Sequence, residues 1–318
     1  MRAPFEFCNT AVKAGSRHSV EIKVARLPTG AWTAMPAVIL HGRHEGPVIW
    51  LSAAIHGDEL NGVEIIRQLL RILVPKSLAG TIIAIPIVNV YGVTTGERNL
   101  PDRRDLNRSF PGSPRGSLAA RLAHIFFEQV ALRCAVGIDY HTGSNGRTNL
   151  PQIRCDMDDP ETAGLARAFH PPLALHASLR DGSLRAAASR HGMKVLLYEG
   201  GEVQRFQRKV VQEGVDGTLR VLKFLQMIPA APAPVETDML ESRSSMWIRA
   251  GCSGFARVQV GLGKLIEKGQ AIATVADSLG GPESVVHARE GGMVIGRLNK
   301  AVVHRGDALV HVARVAPQ

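Results

Sequence analysis

Two histidines and two glutamates at the ends of apolar runs carry the chemistry that this 318-residue sequence offers. His56 and Glu59 lie three apart in His56-Gly-Asp58-Glu59, directly after the apolar run Val48 to Ile55. On a tight turn, an imidazole nitrogen and a carboxylate at that spacing converge on one side of the backbone, as the first two ligands of zinc do. His141 follows Asp139 at the end of the apolar run Ala135 to Tyr140, and Glu199 ends another, Met193 to Tyr198. A His-x-x-Glu pair alone is more often a cap or a core hydrogen bond than a pair of ligands. Recurrence at three strand ends favours a ligand site, since sites in α/β sheets lie outside the carboxyl ends of strands. A His, Glu, His set leaves zinc a fourth position for water, whose pKa falls from about 15.7 to near 7 on the metal. Glu199 is then the candidate proton shuttle. Glu202 competes for that role, although a glutamate in the first turn of a helix is also favoured by the helix dipole. Asp58 is expected to orient a ligand or a neighbouring arginine rather than bind metal.

The segment Arg98 to Gly112 adds Arg98, Arg103, Arg104, Asn107 and Arg108. An arginine aimed at a scissile carbonyl stabilises the oxyanion, and a paired Asn and Arg suits capture of a carboxylate. A solvated loop with internal Asp partners explains Arg103 or Arg104 as well.

The elements that would hold these residues follow from periodicity. Residues 16–50 read as antiparallel strands and turns. Val48 to Ile55 and Gly80 to Asn89 are nearly continuous apolar runs, as in a sheet covered on both faces. Helix patterns occupy Val63 to Leu73, Ser117 to Ala131 with Ser117 as cap, Pro160 to Phe169, Ser183 to His191 and Val203 to Leu225. Residues 91–117 and Thr142 to Asp159 read as polar loops. Pro229-Ala-Ala-Pro-Ala-Pro234 is a stiff linker that separates a catalytic domain, 1–228, from a terminal all-β module, 235–318.

Composition narrows the function further. Hydrophobic content of 45% and charged content of 21% are those of a globular protein. Cys8, Cys134, Cys155 and Cys252 form no CxxC pair, so any metal uses His and carboxylate. No run approaches the ~20 apolar residues of a membrane span, and the amino terminus has no signal-like apolar region, which makes the cytoplasm the expected compartment. Of the net charge of +10, residues 235–318 hold ten Lys+Arg against eight Asp+Glu, or +2, leaving +8 on the first 234. With aromatic residues at 5%, stacking on bases is poorly supported and small anions are the better partners.

Taken together, His56-Gly-Asp-Glu59, Asp105-Leu-Asn-Arg108, Asp139-Tyr-His141 and Glu199-Gly-Gly resemble, in order and distance, the succinylglutamate desuccinylase and aspartoacylase family, which is related to the zinc carboxypeptidases. The resemblance is strong over residues 45–225. It implies a three-layer, carboxypeptidase-like α/β fold: a mixed β-sheet with helices on both faces, plus a small half-barrel-like C-terminal β domain near the site as a gate. It implies one zinc ion per chain on His56, Glu59 and His141, Glu199 as general base and acid, and Arg98 polarising the carbonyl oxygen. Asn107 and Arg108 would hold the carboxylate of the amino-acid part, with Arg185 as a further substrate-binding arginine. The implied reaction is hydrolysis of the amide of a small anionic N-acyl amino acid, with no nucleic acid and no membrane as partner; a homo-oligomer is compatible with it. The alternatives are a zinc carboxypeptidase acting on peptides and a non-catalytic metal-binding protein. The segment between Arg98 and Asn107 is longer than in aspartoacylase, and 143–159, with Arg147 and Arg154, has no counterpart, so the acyl pocket is expected to differ. The turns of the terminal module also resemble biotinyl and lipoyl carrier domains, but no lysine flanked by methionines stands at a hairpin tip to carry a cofactor.

Overall fold

The computed structural model describes residues 2–234 and 238–315. The outermost residue of the expected catalytic domain, Met1, and both ends of the expected terminal module, 235–237 and 316–318, lie outside the described residues. A small hairpin, β1 (Phe5–Phe7) and β2 (Thr10–Val12), precedes the long hairpin of β3 (Ser16–Arg26) and β4 (Trp32–His41). There follow β5 (His44–Ala53), α1 (Asn61–Ile72), β6 (Ala79–Ile85), α2 (Val90–Thr95), α3 (Leu118–Gln129), β7 (Val136–Gly143) and β8 (Arg147–Cys155). The domain continues with α4 (Pro160–Phe169), β9 (Leu173–His176), α5 (Leu184–Arg190), β10 (Lys194–Glu202) and α6 (Arg208–Phe224).

The centre of the sheet is parallel, in the order β10, β7, β5, β6, and β4 and β3 add antiparallel on one side. This explains the apolar runs. Both faces of the parallel strands are covered, one by α1, α4 and α6 through Ile65, Leu69, Phe169 and Val215, the other by α3 and α5 through Phe126, Phe127 and Leu184. The architecture is the expected mixed sheet between two helical layers. Two tyrosines fasten α6 to it, Tyr140 to Thr218 Oγ1 at 2.7 Å and Tyr198 to the Val210 carbonyl at 2.7 Å.

The terminal module comprises β11 (Leu240–Ser242), β12 (Ser245–Arg249), β13 (Gly254–Val258), β14 (Leu265–Ile266), β15 (Ala271–Ala276), β16 (Ser284–His287), β17 (Gly292–Leu298), β18 (Val302–Val303) and β19 (Ala308–Ala313). β16, β15, β13 and β18 form one sheet, and β12, β19, β17 and β14 belong to the other, with Ile248, Ile272, Val294 and Leu309 in the shared core. The second sheet is continuous with that of the first domain, because β17 pairs antiparallel with β8 and β11 pairs parallel with β9.

Two sequence expectations are corrected. The segment 142–159 is mostly strand: β8 bridges β10 and β17, and its polar side chains face a cavity rather than solvent, which erased the apolar pattern. The last helix starts at Arg208 rather than Val203, because Gln207 is held by Asn61 and Glu202 and Gln204 donates its N–H to the Asp58 carbonyl at 2.8 Å. Among the described residues no helix is long and apolar enough to cross a membrane.

The turn after β5 is held tightly. Ala54 adopts φ 52°, a left-handed conformation that costs a non-glycine residue about 1–2 kcal/mol, and the N–H groups of Val88 and Asn89 fix it through the carbonyls of Ala53 and Ala54. Gly57 then packs on Gly92 so closely that a Cβ would stand 2.0 Å from the Gly92 carbonyl carbon. Gly57→Ala is therefore expected to destabilise the fold by about 1–3 kcal/mol, as overpacking does. A urea midpoint unchanged from wild type would show that the turn yields.

Candidate active site

Glu59 is the hub of the site. Its side chain is 2% exposed, and both oxygens are engaged. Oε1 lies 2.8 Å from His56 Nδ1 and accepts from Arg98 Nη1 at 3.0 Å, while Oε2 lies 2.8 Å from His141 Nδ1 and accepts the Thr142 N–H at 3.1 Å. The far nitrogen of each ring meets another carboxylate: His56 Nε2 lies 3.1 Å from Asp105 Oδ1, and His141 Nε2 lies 2.8 Å from Asp139 Oδ2. Asp139 is fixed by Ser52 Oγ at 2.8 Å, and Asp105 by Arg98 Nη2 at 3.1 Å and its own cap on the Asn107 N–H at 2.8 Å.

This donor set suits a divalent cation. Both nitrogens of each ring meet carboxylates, which only accept, and a neutral ring has one hydrogen for the two; with it on Nε2, toward Asp105 or Asp139, each Nδ1 is left facing Glu59. In neutral rings those Nδ1 lone pairs confront carboxylate lone pairs, which a shared cation relieves and otherwise only additional protons can. The ligand atoms of His56, Glu59 and His141 all lie within 4.8 Å of one another. Two ring nitrogens and a carboxylate, each ring backed by an acid, form a zinc-type set. Burial opposes charge on His56, but Glu59 and Asp105 outweigh it and raise its pKa. Burial likewise opposes charge on His141, yet Asp139 and Glu59 raise it well above the usual range. Glu59 is driven well below the carboxylate range by the two histidines, against its own burial. A cation entering the cluster displaces protons, so its affinity falls as pH is lowered. Asp58, expected to orient a ligand or a neighbouring arginine, has its Oδ1 buried without a partner, and the carboxylates that meet the far side of the two histidine rings are Asp105 and Asp139.

All eight expected residues, His56, Glu59, Arg98, Asn107, Arg108, His141, Arg185 and Glu199, line one cavity of about 730 Å³. Glu199 stands beside His141 because the two share a register position on the parallel strands β10 and β7. Asn149 Nδ2 donates to its Oε2 at 2.6 Å, and Arg154 lies 3.6 Å from Oε1. Glu202 does not line the cavity; it binds Thr148, Arg205 and Asn299 and so joins the module to the domain. The Asn107 side-chain oxygen accepts the Leu184 N–H at 2.9 Å, pinning the arginine loop to α5. Arg185 donates to the carbonyls of Ala177 and Ser178 at 2.8 and 2.7 Å, ordering the segment that forms one wall.

Sequence reasoning missed Asn149, Arg180, Trp247, Arg249 and His311, which also line the cavity. Asp139 was legible, since residues two apart on a strand share a face. The terminal-module residues carried no comparable signal, because it is the pairing of β17 with β8 and of β11 with β9 that brings the module to the site.

The profile of the Succinylglutamate desuccinylase/Aspartoacylase catalytic domain matches residues 45–225, more than half of the chain. The chain belongs to this family. The chain is 28% identical over 302 residues to the N-alpha-acetyl-L-2,4-diaminobutyric acid deacetylase of Halomonas elongata, covering 90% of this chain and 87% of that protein. The fold matches a succinylglutamate desuccinylase/aspartoacylase from Rhodobacter sphaeroides with a TM-score of 0.85 at 24% identity, covering 94% of this chain and 96% of that one. It also matches the product-bound ectoine utilization protein EutE (DoeB) of Ruegeria pomeroyi, with a TM-score of 0.85 at 22% identity over 98% and 99% of the two chains.

Asp139→Asn keeps the shape of the site but removes the negative charge that backs His141 Nε2. It is expected to lower the affinity for a divalent cation about 10- to 100-fold, measured by competition with a chromophoric chelator. Unchanged affinity would remove Asp139 from the metal-binding network.

Proposed function

We propose that this protein is a zinc-dependent hydrolase that cleaves the amide bond of a small anionic N-acyl amino acid. One observation carries the reading: two carboxylate-backed histidines turn their Nδ1 atoms on one buried glutamate, beside Glu199 at the same register of the sheet. His56, Glu59 and His141 would hold the zinc ion, which when bound supplies Lewis acidity and lowers the pKa of water to near 7.

The chain's own residues supply the rest. Glu199, held by Asn149 and facing the cavity, takes the proton of the attacking water and returns it to the leaving amine nitrogen. Arg98, oriented by Glu59 and Asp105, offers its remaining N–H groups to the carbonyl oxygen as charge develops there. Asn107 and Arg108 hold the carboxylate of the amino-acid part, and Arg185 keeps the facing wall ordered. The terminal module closes the cavity with Trp247, Arg249 and His311, which favours a small substrate over an extended peptide.

Family membership and the relative named for deacetylation of an N-acetyl amino acid support amide cleavage. Eight arginines line the cavity against the carboxylates Glu59 and Glu199. That balance favours an acidic substrate over one bearing a second amine, the kind named for the Halomonas elongata protein.

Metal analysis and kinetics test the proposal together. The wild type is expected to carry about one zinc per chain and to release free amine from N-acyl amino acids, while His56→Ala and His141→Ala lose the metal. Glu199→Gln is expected to retain zinc and lose activity about 10²- to 10⁴-fold, the scale of general acid–base catalysis. A Glu199→Gln protein of wild-type activity, or a wild type without zinc, would refute the mechanism.

A further inference from the structure

Part of the cavity wall has no role in the proposed chemistry. Arg147 and Arg154 come from β8, Arg180 from the turn before α5, and Trp247 and His311 from β12 and β19 of the terminal module. His311 stacks on Trp247 with ring centroids 4.3 Å apart and planes within 10° of parallel, and the Arg147 guanidinium lies 5.2 Å from the Trp247 ring centroid. Gly296, paired with both Asn149 and His311, permits this approach: a Cβ there would stand 3.0 Å from Asn149 Oδ1 and 3.2 Å from His311 Cβ.

These groups are short of acceptors. His311 is 5% exposed; its Nε2 lies 2.9 Å from Ser245 Oγ, and its Nδ1 is buried without a partner. Burial, then Arg154, Arg180 and Arg147, push its pKa down to about 3, so the ring is neutral and is free to present an Nδ1–H donor. The Nε atoms of Arg147 and Arg154 are also buried without an acceptor. Arg154 approaches Glu199 only to 3.6 Å. Neither Arg147 nor Arg180 has an ion-pair partner among the described residues, although Asp307 favours the charge of Arg147 from farther away. Buried donors are seldom left unmatched, and guanidinium groups flanking a neutral N–H suit the planar geometry of a carboxylate.

We infer that Arg147, Arg154, Arg180 and His311 form a second anion subsite, distinct from Asn107 and Arg108, that takes a carboxylate of the substrate remote from the scissile amide. Trp247 positions it by stacking on His311 and receiving Arg147. The identity of that substrate rests on the deacylase reading. The remote carboxylate belongs either to a dicarboxylic acyl group or to the amino-acid side chain, and a cavity of about 730 Å³ has room for either.

Matched substrates separate the two sources. Amine release by the zinc-loaded protein is compared for N-acetyl-L-aspartate against N-acetyl-L-asparagine, and for N-succinyl-L-alanine against N-butanoyl-L-alanine. At least one pair is expected to favour its extra carboxylate about tenfold or more in kcat/KM, chiefly through KM, and that pair identifies the source. Arg147→Met and His311→Phe are expected to reduce the ratio about tenfold, whereas a merely structural role would lower both members of a pair together. Ratios near one in the wild type, or ratios that survive both substitutions, overturn the subsite. If the zinc-loaded wild type hydrolyses none of the four, the deacylase reading fails separately. Calorimetric titration with succinate and butanoate then decides the subsite: a succinate preference lost in Arg147→Met supports it, and equal binding of the two acids overturns it.

Discussion

A dehydrated carboxylate tolerates burial only if donors surround it, and Glu59 imposes that demand on everything near it. Meeting it produces a closed circuit. Glu59 meets His56, His56 meets Asp105, Asp105 accepts from Arg98, and Arg98 donates back to Glu59. A second branch runs from Glu59 through His141 and Asp139 to Ser52 on β5. Carboxylates alternate with imidazole, guanidinium or hydroxyl groups along both paths, so each group stabilises its neighbours in a setting where a missing partner would leave a buried ion. The circuit joins the turn after β5, the arginine loop and the end of β7. Positions far apart in the chain are thereby held at ligand distance before any cation arrives.

The second constraint is the continuity of the sheet. β8 pairs with β10 on one side and with β17 on the other, and the residues it offers to β17 include Asn149 and Arg147. Asn149 holds Glu199, while Arg147 reaches the Trp247 ring. A swinging gate would have to break main-chain hydrogen bonds of this ladder, and also those that join Asn299 to Glu202 and Thr148. The terminal module is therefore better described as a fixed wall of the cavity than as a gate. The position of Glu199 depends on strands from both sides of the linker.

What the sequence reveals follows from how each residue is surrounded. Strands covered on both faces, such as Val48 to Ile55 and Ala135 to Tyr140, show as apolar runs, and the polar residues that end them mark the ligand cluster. β8 is different: with Arg147, Asn149 and Arg154 on a polar cavity and Pro151 in its middle, it has the composition of a loop. Trp247 and His311 have ordinary strand patterns whose direction toward the site is set by a pairing more than 140 residues distant in the chain. Asp139 and Asp58 differ in the same way. Asp139 shares a face with His141 by strand alternation, whereas Asp58 sits on a turn, where spacing says nothing of direction.

The arginines of the cavity give the net charge of +10 a location. Excess positive charge spread over a convex surface would be screened within about 8–10 Å by salt and would attract any polyanion. In a concave, partly buried wall the same charges are screened less, and their field is focused on whatever enters. Several are already committed: Arg98 to Glu59 and Asp105, Arg185 to backbone carbonyls, Arg243 to Asp158. Those that remain, chiefly Arg147 and Arg180, are the ones whose charge is left for a ligand. A cavity of about 730 Å³ has room for a small carboxylate beside them. On the proposed reading, the same basic composition that would suggest nucleic acid on an open surface suits a small acidic molecule once it is folded inward.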